Sequence, residues 1–79
     1  MNGVVSSRLS ELDARVLRAT DARYERSPER IGELVGCAAD VALWTLRRLR
    51  VAYLVEDDGG RPQRWLRTHR GDVALEHQP

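Results

Sequence analysis

Seven arginines fall between positions 47 and 70 (Arg47, Arg48, Arg50, Arg61, Arg64, Arg67 and Arg70), against only three acids, Glu56, Asp57 and Asp58. That stretch carries +4, whereas residues 1–46 carry −1 and residues 71–79 carry −2. All 13 basic residues of the chain are arginine. Guanidinium is a planar fork that matches phosphate, carboxylate and guanine edges, so the chemistry written most densely here is contact with anions or nucleic acid. Covalent chemistry has little support. Cys37, His69 and His77 are too few and too scattered for a zinc site, which takes four ligands at characteristic spacings. There is no serine–histidine–aspartate set, no phosphate-cradling glycine loop and no paired carboxylates. An enzyme is therefore not expected, and no cofactor or small-molecule substrate is implied. His77 is expected in a disordered tail.

Length and charge set further bounds. With 79 residues, one domain is expected and a deep two-domain cleft is excluded. The net charge of +1 gives a weak overall field, so any attraction to nucleic acid must come from the local basic cluster. No apolar run reaches the ~20 residues that span a bilayer, and the N-terminus lacks the pattern of a secretory signal. A single thiol cannot staple the chain, which fits a reducing cytoplasm. Cys37 suits a small buried position in a turn.

The elements that must hold the arginines follow from local signals. Residues 1–9 are expected to form a flexible arm. Ser10-Glu11-Leu12-Asp13 approximates a capping box for a first helix, with Leu9 as its staple, Leu12, Val16 and Leu17 as its buried stripe, and its end near Thr20. A polar loop follows, with Tyr24 as an anchor. Ser27-Pro28 caps a second helix that buries Ile31, Leu34 and Val35 and ends at Gly36 in the left-handed region. After a turn at Cys37-Ala38, a third helix covers roughly Ala39 to Val51, with Ala42, Thr45, Leu46 and Leu49 at helical spacing. The period then changes to two. Residues 53–56 and 63–68 predict paired strands around the turn 57–62. Gly71 is expected to break the chain, leaving at most a short helical tail over 72–79.

Helix, helix, turn, helix and β-hairpin is the order of a winged helix-turn-helix: mostly α, three helices plus a two-stranded wing, over residues 10–71. The stretch IGELVGCAADVALWTLRRLRVAYLVEDDGGRPQRWLRTHRG resembles the core of bacterial regulators of the MarR, PadR and IclR kind. Ile31 matches the aliphatic opener, Gly36 the glycine before the turn, Leu46 and Leu49 the paired leucines, Leu54-Val55 the strand start, and Thr68 with Gly71 the end. Three departures stand out. Ala38 replaces the Ser or Thr that caps the third helix. Tyr53 stands where a glycine precedes the strand, which implies a different turn. The long C-terminal dimerisation helix of many such regulators is absent.

The resemblance implies sequence-specific binding of double-stranded DNA, as a bacterial or phage transcriptional regulator or a recombination-directing factor. The third helix would enter the major groove and the wing would lie on the flank. The expected contact residues are Asp40, Leu43, Trp44, Arg47, Arg48 and Arg50 on the helix, and Arg61, Arg64 and Arg67 on the wing. Positions 64 and 67 cannot share a strand face, and Asp57 and Asp58 near the wing tip would repel phosphate. Trp65 is expected in the core. Leu43 and Trp44 are apolar, however, and a helical phase shifted by one position would put Trp44 in the core. The alternative function is a protein-binding winged helix using a Leu43/Trp44 face, toward a partner protein or a second copy in a homodimer.

Overall fold

The computed structural model describes residues 9–78; the arm expected over 1–9 lies, apart from Leu9, outside the described residues. The first helix, α1, runs Glu11–Ala19, and the Ser10 hydroxyl accepts from the Asp13 amide at 3.0 Å. The second, α2, runs Pro28–Val35, capped in the same way by Ser27, which accepts from the Arg30 amide at 3.1 Å. It ends at Gly36 with φ 88°, the left-handed position glycine adopts without a Cβ penalty. The third helix, α3, runs Ala39–Val51 and buries Ala42, Thr45, Leu46 and Leu49, the spacing the sequence predicts. The turn between α2 and α3 is tight: a Cβ on Gly32 would sit 2.7 Å from the Cys37 carbonyl oxygen.

Val16 and Leu17 from α1, Ile31 and Val35 from α2, and Leu46 and Leu49 from α3 meet in one core. Leu9 and Leu12 pack against its edge, as does Cys37. Two expected core residues lie elsewhere. Leu34 is exposed, because the stripe on α2 is narrower than its three aliphatic residues allow, and Tyr24 is exposed at the loop surface and anchors nothing.

The hairpin is shorter than its sequence pattern. Strand β1, Val55–Asp57, pairs antiparallel with β2, Trp65–Arg67, with Val55 opposite Arg67 and Asp57 opposite Trp65. Trp65 is fully buried, as expected, and joins the core. Its backbone also pairs with Arg26 in both directions, at 2.9 and 3.1 Å, so the loop after α1 adds a short third edge to the hairpin. Tyr53 takes φ 62°. It thus keeps the left-handed turn that a glycine would make, instead of forcing a different one. The Thr68 hydroxyl donates to its carbonyl at 2.7 Å, and the Arg70 guanidinium lies 5.8 Å from its ring.

A fourth helix, α4, runs His69–Glu76, across the boundary expected at residue 71. Gly71 does not break the chain. It lies in the first turn of α4, where its amide donates to the Thr68 hydroxyl at 3.0 Å. A Cβ at Gly71 would collide with the Leu54 carbonyl oxygen, so the glycine is needed for close approach of α4 to the strand. Ala74 and Leu75 pack on the core, and His77 caps the C-terminus of α4 rather than lying in a disordered tail.

Candidate nucleic-acid interface

The core-facing stripe of α3 decides what its other face presents. With Ala42, Thr45, Leu46 and Leu49 buried, the opposite side displays Asp40, Trp44, Arg47 and Val51, spaced by four, three and four residues. Trp44 is 63% exposed, so the shifted phase that would bury it does not occur. Leu43 sits at the margin and packs against the core edge. Ala38 gives α3 no side-chain cap, as expected, but the Asp40 carboxylate accepts from the Val41 amide at 2.8 Å. That acid therefore takes up one of the free N–H groups that the missing Ser or Thr would have satisfied.

The loop between β1 and β2 is organised by its own acids. Asp57 accepts from the Arg50 guanidinium at 2.8 Å, the Gln63 side-chain amide at 3.0 Å and the Gly59 amide at 3.1 Å. Asp58 accepts from the Gly60 and Arg64 amides at 2.9 and 3.1 Å. The Arg50 guanidinium, followed by the Gly59 and Gln63 donors, holds the Asp57 carboxyl below its ordinary value of 3.8 against the opposing effect of burial. The Gly60 and Arg64 amides lower Asp58 in the same direction. Both acids expected to repel phosphate thus bind the loop's own donors; the Asp57 side chain is only 14% exposed, while Asp58 stays exposed.

Between α3 and this loop lies an open groove of about 460 Å³, lined by Arg47, Gly59, Gly60, Arg61, Pro62 and Gln63. Arg47, Arg61 and Arg64 are exposed, and their guanidinium groups have no hydrogen-bond or ion-pair partner among the described residues. A groove floored by glycine backbone and bordered by unpaired guanidinium groups suits an extended polyanion.

No protein-family profile matches the chain, and no curated protein does. A solved structure of a MarR family transcription regulator is similar to it, with a TM-score of 0.78 and 15% sequence identity. The similarity covers 94% of this chain and 52% of that one, so this chain spans about half the length of the regulator. This chain is a winged helix-turn-helix domain. Helices α2 and α3 are its helix-turn-helix, and β1 and β2 with their loop are the wing.

The winged helix brings some of the expected contact residues together and commits others to the fold. Asp40, Trp44 and Arg47 share the outward face of α3, and Arg61 borders the same groove as Arg47. Arg64 is free on the wing. Three of the expected contact arginines have partners within the chain. Arg67 is internal: its guanidinium donates to the carbonyls of Leu17 at 3.2 Å and Thr20 at 3.0 Å and pairs with Asp72 at 2.5 Å. It closes the C-terminus of α1, where carbonyls lack intrahelical partners. Arg50 braces α3 to the wing through Asp57 and lies 5.5 Å from the Trp65 ring. Arg48 is paired with Asp13 of α1. Gln63, which lines the groove and ties down Asp57, was not singled out by the sequence; a polar residue directly after the turn proline is too common to mark it. Among the described residues no group of His, Cys, Asp or Glu is arranged to hold a metal ion, and no helix is long and apolar enough to cross a membrane.

Proposed function

We propose that this chain binds double-stranded DNA sequence-specifically, as a bacterial or phage transcriptional regulator or recombination-directing factor. The observation that carries this reading is the groove between Arg47 and the wing, bordered by the unpaired Arg47 and Arg61, with Arg64 exposed on the wing next to it in sequence. Helix α3 enters the major groove and brings Asp40 and Trp44 of its N-terminal half, and Arg47 one turn further on, to base edges. Arg47 offers two parallel donors to a guanine, and Trp44 offers apolar contact to a thymine methyl. Arg61 and Arg64 hold the flanking backbone, which positions the helix without reading sequence. Arg50 acts one step back: its bond to Asp57 fixes the angle between reading helix and wing. The similarity to a transcription regulator over nearly the whole chain supports the same reading.

A second reading rests on a separate observation. Trp44 is 63% and Val51 79% exposed on one helix face, an apolar pair beside Arg47 of the kind that anchors protein interfaces. Amide NMR mapping with a mixed-sequence duplex separates the two. On the DNA reading, shifts cluster on 39–50 and 59–64 at low salt and collapse at moderate salt. An unmoved spectrum at low salt refutes DNA binding by this chain and leaves the Trp44 face for a protein partner.

A further inference from the structure

A second groove, of about 380 Å³, opens between the C-terminal ends of α1 and α2. It is lined by Arg15, Arg18 and Arg26 around Ala19, Leu34 and Val35, and shares no residue with the groove beside the wing. Two of its arginines are already fixed. Arg15 donates to the Val35 carbonyl at 2.8 Å, which closes a helix end and engages one nitrogen of its fork. Arg26 donates to the Ala19 carbonyl at 2.8 Å and pairs through its other terminal nitrogen with Asp21 at 3.7 Å. The Arg18 carbonyl accepts from Arg67 at 3.4 Å, but its exposed guanidinium has no hydrogen-bond or ion-pair partner among the described residues. Leu34 is 46% exposed although α2 has a well-formed buried face without it.

We propose that this groove is a docking site for an acidic, aliphatic peptide segment of a partner protein. Charge complementarity selects the occupant. The immobilised Arg15 guanidinium loses little further entropy on pairing with a carboxylate, and the Arg18 guanidinium adds a second site. The exposed Leu34, with Ala19 and Val35, gives an apolar side chain of the peptide a surface to cover. A nucleic-acid backbone would leave Leu34 without an apolar partner. A small organic anion would stay half in solvent, because the groove is open along one side, whereas small-ligand sites enclose most of their ligand. The proposal goes beyond DNA binding and stands without it. If both hold, the domain carries DNA and a partner at sites that share no lining residue.

The test is a random-dodecamer display selection on the full chain, with an Arg18→Glu/Leu34→Asp variant as counter-target. Both side chains are exposed, so the variant should keep the helical circular dichroism and melting temperature of the parent. The expected winners carry at least two acids flanking Leu, Ile, Val or an aromatic. They bind the parent at least tenfold more tightly than the variant, and they shift the amides of residues 15–19, 26 and 34–35. An unlabelled DNA duplex should not displace them. Four results overturn the proposal: no peptide enriched over the variant, winners without acids, amide shifts confined to α3 and the wing, or displacement by the duplex. If instead the parent self-associates in sedimentation and the variant does not, the groove is a contact between copies of this chain, and the partner reading is likewise overturned.

Discussion

The Arg67 guanidinium lies on the carbonyls of Leu17 and Thr20, while that of Arg47 lies free at the rim of the wing groove, so identical side chains serve the core and the surface. The difference has a measurable size. Removing the Arg67 guanidinium leaves two carbonyls and the Asp72 carboxylate without their charged donor; a hydrogen bond to a charged group contributes ~1.5–3 kcal/mol net, and less where water can replace the donor at a partly exposed site. Arg67→Ala should therefore cost about 2 kcal/mol overall, which in a domain of this size lowers Tm by roughly 10 °C. Arg47→Ala should leave Tm within ~2 °C, because an exposed unpaired side chain contributes little to the fold. Thermal melts of the two variants check this pair. Equal melting temperatures would mean that Arg67 does not hold α1 in solution. The sequence offered no way to tell these arginines apart, since both sit in the same basic cluster and the carbonyls that hold Arg67 lie 47 and 50 positions earlier.

At the scale of the elements, the wing is a loop made rigid by two carboxylates. Both Asp57 and Asp58 titrate below the ordinary aspartate value of 3.8, Asp57 chiefly through Arg50 and Asp58 chiefly through the Gly60 amide. Their folded values lie below their unfolded ones. Their contribution is thus complete above about 3.8 and is lost as the pH falls through the lowered folded values. In an NMR titration from neutral pH downward, the Gly59 and Gly60 amides should move with midpoints below 3.8, and the wing should loosen only there. Midpoints at or above 3.8 would show that these bonds do not order the loop. The start of α1 and both ends of α2 were readable because caps are local: Ser10, Ser27 and Gly36 act within three or four residues. Helix α4 and the role of Gly71 were not, because that glycine answers to the Leu54 carbonyl, 17 positions earlier, and within its own neighbours it reads as a breaker. Tyr53 shows the same override. The turn geometry was set by the packing around it, and a tyrosine was carried into the left-handed region.

For the whole molecule, a net charge of +1 means that binding to DNA depends on how many cations remain uncommitted, not on how many the sequence contains. The basic stretch holds seven arginines, but Arg48, Arg50 and Arg67 are paired with acids of the same chain and Arg70 lies over Tyr53. Arg47, Arg61 and Arg64 are left. If each neutralises one phosphate, the logarithm of the binding constant should fall with the logarithm of salt at a slope of about −2.7, or ~40-fold between about 50 and 200 mM. Counting all seven would give a slope steeper than about −6. Fluorescence anisotropy with a labelled duplex measures the slope directly. A value near −2.7 supports one domain per site with the ion pairs intact, and Arg47→Ala should then flatten it by about 0.9. A value near −5.4 would mean two copies acting together, each with the same three contacts. A slope near zero would show that phosphates are not the partner, and would shift the function to the exposed Trp44 face.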